Sequence, residues 1–283
     1  MPGSPYTDLD RPPLDARALR RVLTGPEALW TRVDLRVETG STNADAADAA
    51  RAGEPEGLVV VAERQTAGRG RLGREWVSPA RAGIATSVLL RPGAARPERA
   101  WPPVPPNSLG WLPLLAGVAA AEAVERVAEL PSPPGLKWPN DLLVDGLKVA
   151  GILAEAVNGA VVVGIGVNVT LRADELPPGV AATSLQLAKA DVTDRLPLLR
   201  ALLRGIEDWY GRWRAAGGDA TASGLRDAYT ARSATIGRDV RALLPDGAEV
   251  TGTATEIDGS GHLVLRTADG PRAIAAGDIL HLR

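Results

Sequence analysis

The chain has 283 residues, of which 45% are hydrophobic and 23% charged, a globular composition with room for one large domain and a small second one that excludes wholesale disorder. Its 32 basic and 34 acidic side chains give a net charge of −2 and it has no cysteine, which excludes disulfides, thiolate metal sites and a cysteine nucleophile and argues against a chain built to coat nucleic acid or membrane. Only His262 and His281 supply imidazole, both near the C-terminus, so a His-rich metal site or a Ser-His-Asp triad would need both domains. No apolar run reaches membrane-spanning length, and MPGSPYTDLDRPP lacks the basic and apolar regions of a signal peptide, so a cytoplasmic protein is expected.

Residues 1–13 are Pro-rich and expected to be flexible. LDARALRRVL then reads as a short amphipathic helix and RVDLRVE as a strand. In GSTNADAADAARAGEPEG, Thr42 with Asp45 three places on makes an acidic capping signature for an Ala-rich helix ended by Gly53 and Pro55. LVVVAERQ and GIATSVLLRP read as strands around the polar loop TAGRGRLGREW. Six prolines between 92 and 109 predict an irregular surface insertion in which only Trp101 reaches the core. A helix follows from Trp111 to Leu130, then strands from KWPNDLLVD onward, with Asn158-Gly159 predicting a tight hairpin between KVAGILAEAV and AVVVGIGVNVT. Helices return between Asp194 and Ala216 and between Thr221 and Arg232. From residue 234, short strands punctuated by Pro245-Asp246-Gly247, Asp258-Gly259-Ser260-Gly261 and Asp269-Gly270 predict a small β-barrel. The expected division is therefore 1–13, 14–233 and 234–283.

Lysine occurs only at 137, 148 and 189, against 29 arginines. Two of the three fall in GLKWPNDLLVDGLKVAGILAE, either by chance or because a compact ammonium is needed there. GRGRLGREW satisfies G-x-G-x-x-G through Gly68, Gly70 and Gly73, but interleaved arginines and the absence of a following helix argue against a dinucleotide fingerprint. It reads instead as an anion cradle, with Arg69, Arg71 and Arg74 supplying charge-assisted bonds, or as a solvated basic turn. In KWPND, Pro139 pushes Trp138 toward an extended conformation and sets Asn140 and Asp141 in sequence; Asp141 is a magnesium or ribose ligand, or the pair is an ordinary turn. Lys148 faces a ligand or solvent, and Gly151 in a strand suggests close approach by a ligand. Asn168, in an otherwise apolar strand, must find backbone or ligand partners.

The order GSTNADA, ERQTAGRGRLGREW, KWPNDLLVDGLKVAGILAE, VVVGIGVNV and a terminal β-barrel closely resembles the biotin protein ligases. The resemblance implies an α+β fold: a catalytic domain like that of class II aminoacyl-tRNA synthetases, with a mixed sheet and flanking helices, and a C-terminal SH3-like β-barrel. It implies activation of biotin with Mg-ATP to biotinyl-5′-AMP, then transfer to a lysine of the biotin carboxyl carrier domain of acetyl-CoA or related carboxylases. Ser41, Thr42, Asn43, Gln65 and Gly151 would line the biotin site, with Arg69, Gly70 and Arg71 closing over it. Gly68, Gly73, Arg74, Trp76, Lys137, Asn140 and Asn168 would serve ATP. Lys148 would hold the carboxylate and α-phosphate, Arg69 would assist, and Asp141 would support Mg²⁺ and the attacking lysine. The resemblance departs from the family's bifunctional members, whose N-terminal winged helix-turn-helix has no counterpart in the forty residues before the first motif. A monofunctional enzyme without a nucleic-acid or membrane partner is expected, as a monomer or weak homodimer. The alternatives are a lipoate or octanoate ligase of the same superfamily and a biotin-responsive DNA-binding repressor.

Overall fold

The computed structural model describes residues 11–282. The first ten residues of the segment expected to be flexible lie outside them. Residues 11–13 are instead tied down: Arg11 donates to Glu175 Oε1 (3.0 Å) and the Thr170 carbonyl (2.7 Å), and Arg195 donates to the Pro12 carbonyl.

The chain forms α1 (Ala16–Leu23), β1 (Arg32–Arg36), α2 (Thr42–Arg51), β2 (Leu58–Ala62), β3 (Gly83–Leu90), α3 (Trp111–Ala128), β4 (Gly135–Lys137), β5 (Asp141–Val144), β6 (Leu147–Val157) and β7 (Ala160–Asn168). These are followed by α4 (Arg195–Ala215), α5 (Leu225–Arg232) and β8 (Asp239–Leu243), β9 (Glu249–Ile257), β10 (Leu263–Thr267), β11 (Gly270–Ile274) and β12 (Asp278–His281). Strands 1–7 make one mixed sheet in the order β1-β2-β3-β7-β6-β5-β4, with β1 and β2 parallel and the other neighbours antiparallel.

Both faces of this sheet are covered, which is why β2 reads as an unbroken apolar run. Val59 and Val61 join the core shared with α3 and α4, while Leu58 and Val60 pack with Ala46, Ala47 and Ala50 of α2. Helix α3 is apolar nearly all round because it lies between the sheet and helices α4 and α5. Its length does not make it a membrane span: among the described residues no helix is long and apolar enough for that. The Asn158-Gly159 turn has both residues in the left-handed region, at φ 47° and 74°, as a tight hairpin requires.

Three local expectations are corrected. Ser41, not Thr42, caps α2, because Asp45 is taken by the Thr39 hydroxyl (2.6 Å) and Arg36 (2.9 Å). Helix α5 begins at Leu225 rather than Thr221, since Asp219 accepts from the Thr221 and Ala222 amides and Gly224 turns at φ 76°. In the Pro-rich insertion Val104 is buried as well as Trp101. There the buried Arg214 donates to the carbonyls of Ala94 (2.6 Å) and Pro102 (3.3 Å) and lies over the Trp101 ring.

Strands 8–12 form a five-stranded antiparallel sheet in the order β11-β10-β9-β8-β12, with Val240, Ala242, Ala254, Ile257, Leu263 and Leu265 buried. It is seated on the larger domain by two buried indoles, Trp111 and Trp138, whose Nε1 groups donate to the Gly259 and Gly261 carbonyls, each at 3.0 Å.

Candidate active site

The β3-β7-β6-β5 pairing aligns Ala85, Gly166, Gly151 and Asp141 in one row across four strands. Three residues with little or no side chain leave bare backbone on the α2 side, so other groups come down onto the sheet. A Cβ at Gly166 would sit 2.4 Å from the Trp76 indole, and one at Gly164 would sit 2.0 Å from Asn43 Oδ1. The row ends at Asp141, whose carboxylate lies 2.6 Å from Lys148 Nζ, itself 5.7 Å from the Trp76 ring centre. Asp141 Oδ1 is buried and accepts no well-directed hydrogen bond.

Over this floor lies the Arg-rich loop, folded back on itself by bonds from Trp76 N to Gly68 O (2.9 Å) and from Gly70 N to Arg74 O (2.7 Å). Its tip turns through Leu72 and Gly73 at φ 55° and 72°. Three arginines on one small loop repel each other. Arg71 reaches inward to Asn140 Oδ1 (3.2 Å) and the Gly277 carbonyl (3.3 Å), while Arg74 pairs with Asp278 on β12. Burial holds the Arg71 guanidinium below its ordinary value, with Asp278 opposing and Arg74 adding to that shift.

The cleft has two connected parts. The inner part is lined by Ser41, Thr42, Asn43, Gln65, Arg69, Gly70 and Gly151, together with Thr86, Ile152, Leu153, Gly164 and Gly166. Its end wall is neutral and hydrogen-bonding: Gln65 Oε1 accepts from the Thr42 amide (2.8 Å). The outer part is lined by Arg74, Asp141, Asn168, Val77, Val180 and Asp278, and the two share Gly70, Arg71, Trp76, Asn140 and Lys148. A neutral polar pocket thus meets a cationic junction that opens into a wider groove. That arrangement accepts an acid with a polar, uncharged head and brings its carboxylate to a polyphosphate.

Most of the sequence-predicted residues therefore converge. Gly68 and Gly73 lie on the outer side of the loop, along a groove it shares with Glu155. Asn168 takes the backbone alternative, donating to the Thr183 carbonyl at 3.0 Å while still lining the groove. Lys137 lines neither part of the cleft: it lies on the edge strand β4, where its charge acts on His281 of β12. Sequence reasoning missed Gly164, Gly166, Ser87, Glu155 and Asp278. The G-x-G of GIGVNV carried a signal for the first two, since two glycines two apart in a strand clear the same face.

A biotin–[acetyl-CoA-carboxylase] ligase of Mycobacterium tuberculosis is 44% identical over 281 residues, 98% of this chain and all of that protein. The chain belongs to the biotin protein ligase family. Residues 39–171 match the Biotin/lipoate A/B protein ligase family and 235–282 the Biotin protein ligase C terminal domain, so the five-stranded unit is the family's terminal domain. A bifunctional ligase/repressor BirA of Bacillus spizizenii is 34% identical over 84% of this chain and 70% of its own length. Among solved structures of the family, the ligase from Aquifex aeolicus in complex with biotin and ATP superposes with a TM-score of 0.71. It shares 29% identity, over 90% of this chain and all of that one. The mixed sheet with flanking helices and a terminal antiparallel sheet is the architecture of these ligases.

Proposed function

We propose that the chain joins biotin to the AMP moiety of ATP and then transfers the biotinyl group to a protein lysine. The observation that carries this reading is the junction of a neutral hydrogen-bonding pocket with Lys148, Arg69 and Arg71 inside one cleft. Biotin is a neutral ureido bicycle ending in a carboxylate, and the inner part offers Ser41, Thr42, Asn43 and Gln65 to the first and cations to the second. Lys148 brings the biotin carboxylate toward the α-phosphate and offsets the repulsion of two anions. A carboxylate oxygen attacks the α-phosphorus, the bond to the β-phosphate oxygen breaks, and biotinyl-5′-AMP and pyrophosphate result. Trp76, Arg74, Asn140 and Asn168 serve the nucleotide side.

In the second step a neutral lysine amine attacks the acyl carbon, AMP leaves, and the amine gives up its proton. No protein nucleophile is required, in keeping with a chain that has no cysteine. Covering the adenylate with the Arg69–Arg74 loop keeps water from it. Mg²⁺, when it arrives with ATP, offsets phosphate charge. The residues fit an ion held mainly by phosphate, because the outer part offers Asp141 beside the junction and the described residues contain no cluster of three metal-binding side chains. The acceptor is the biotin carboxyl carrier domain of an acetyl-CoA or related carboxylase, met in the cytoplasm.

The test is biotin-dependent pyrophosphate release from Mg-ATP by the purified chain, repeated with lipoate and then with an added carrier domain and streptavidin detection. Biotin-specific release with carrier labelling is expected. Release with lipoate and none with biotin would overturn the reading.

A further inference from the structure

A continuous run of polar groups lies beneath the inner part of the cleft, from Glu155 on β6 to Gln65 at the end of β2. Asn43 Nδ2 donates to Glu155 Oε2 at 2.7 Å and lies 3.3 Å from the Leu153 carbonyl. Asn43 Oδ1 is 2.7 Å from Ser87 Oγ, which is 2.8 Å from Thr42 Oγ1. Gln65 Oε1 is 3.1 Å from Thr42 Oγ1 and 2.8 Å from the Thr42 amide. Ser87 is fully buried, and Thr42 and Asn43 are nearly so.

The direction of every proton in this run follows from its charged end. A carboxylate and a carbonyl only accept, so the Asn43 nitrogen is fixed against Glu155 and its oxygen against Ser87. That oxygen also only accepts, so the single Ser87 proton is committed to it. Ser87 therefore cannot donate to Thr42 and instead accepts its proton at 2.8 Å, a shorter contact than the 3.1 Å to Gln65 Oε1, and the Thr42 hydroxyl faces the cavity as an acceptor. Flipping the Asn43 amide would set its oxygen 2.7 Å from a carboxylate oxygen, and Glu155 forbids that by charge repulsion.

We propose that Glu155 is a positioning residue: acting through Asn43 and Ser87, its carboxylate makes Thr42 accept from, and not donate to, the ring of the bound acid. The proposal rests on the biotin reading above, in which Thr42 is one of the groups offered to the ureido ring.

Biotin-dependent pyrophosphate release is the assay, on the full chain, with biotin and with the two cyclic-carbamate analogues in which a ring oxygen replaces one ureido N–H. The wild-type chain is expected to prefer biotin by about tenfold or more over at least one regioisomer, because two lone pairs would face each other there. In Glu155→Ala the biotin KM is expected to rise about tenfold with ATP KM unchanged, and the preference for biotin to fall toward unity. Glu155→Gln, which keeps an accepting oxygen, is expected to restore the preference. Ser87→Ala cuts the run in the middle with Glu155 in place and is expected to lose the preference as Glu155→Ala does, so the proposal is tested even if one variant folds poorly. Equal weakening toward biotin and the analogues, or an unchanged biotin KM in Glu155→Ala, would overturn it. Failure of the wild-type chain to turn over biotin would instead overturn the reading on which it rests.

Discussion

Gly166→Ala adds one methyl group to the cleft floor and tests whether the sheet surface was cleared for Trp76. The added Cβ would lie 2.4 Å from Cε2, 2.6 Å from Cζ2 and 2.8 Å from Nε1 of that indole. Carbon atoms in contact settle at about 3.5–4.0 Å, so one partner must retreat by about 1 Å. It will not be the strand, because Gly166 is paired on both sides, to Ala85 and Gly151. The indole sits on a loop and moves instead. Gly166 lies outside the left-handed region, so alanine suits the backbone and the thermal midpoint is expected to stay within about 3 °C of wild type. Misplacing a group in the site by about 1 Å costs roughly a hundredfold in rate, and a loss of that order is expected in kcat/KM for ATP. Pyrophosphate release under saturating biotin measures it, with thermal unfolding alongside. Activity within about twofold of wild type would refute the argument that the floor and Trp76 share one geometry.

Three further outcomes are expected. Lys148→Met removes the ammonium 2.6 Å from Asp141 and is expected to lower adenylate formation by about a hundredfold or more. Adding Asp141→Asn should recover the accompanying stability loss but not the activity, as urea unfolding and turnover of the double variant will show. Asp278→Asn frees Arg74 from a largely exposed pair, so stability should change by less than about 1 kcal/mol. The same change should lower the ATP KM about two- to threefold, and a rise would show that Asp278 holds Arg74 in its working position. Burial first, then the charges of Lys137 and Arg238, hold the His281 imidazole down to about 4, below the roughly 6.5 of an unfolded histidine. The folded chain therefore binds fewer protons between those values. The contribution of neutral His281 is complete above about pH 6.5 and lost as pH falls toward 4, by about 1 kcal/mol after allowing for its solvent exposure. In His281→Gln the urea midpoint should vary less over that range, and the same pH dependence in both proteins would refute the assignment.

The site was legible where chemistry is carried by residue type in a short span. The Gly-Arg loop, the Lys148 segment and the Ser41-Thr42-Asn43 turn each stand out by residue type, although type alone left other uses open, and Asn168 takes one of them by bonding the Thr183 carbonyl. Element types were legible for the same local reason: β2 as a β-branched run, α2 as an alanine helix, and the Asn158-Gly159 hairpin as a backbone requirement. Boundaries were less so. Asp45 looked like part of a cap and Thr221 like a helix start until Thr39 and Asp219 supplied the competing hydrogen bonds.

What the sequence alone determined is thus the order of elements, the families of side chain at the site and, through their arrangement, the resemblance to biotin protein ligases. What only the tertiary structure decided is which of those groups meet. Lys137 and Lys148 share a segment, but β4 is an edge strand beside the five-stranded sheet and β6 runs through the larger sheet beside the cleft, so one lysine acts on His281 and the other on Asp141. Glu155 and Asn43 are 112 residues apart yet hold each other at 2.7 Å. Packing of α2 onto the sheet, with Asn43 seated over Gly164 of β7, brings them together, and which helix face meets which strand is a property of packed layers that no single stretch of sequence contains.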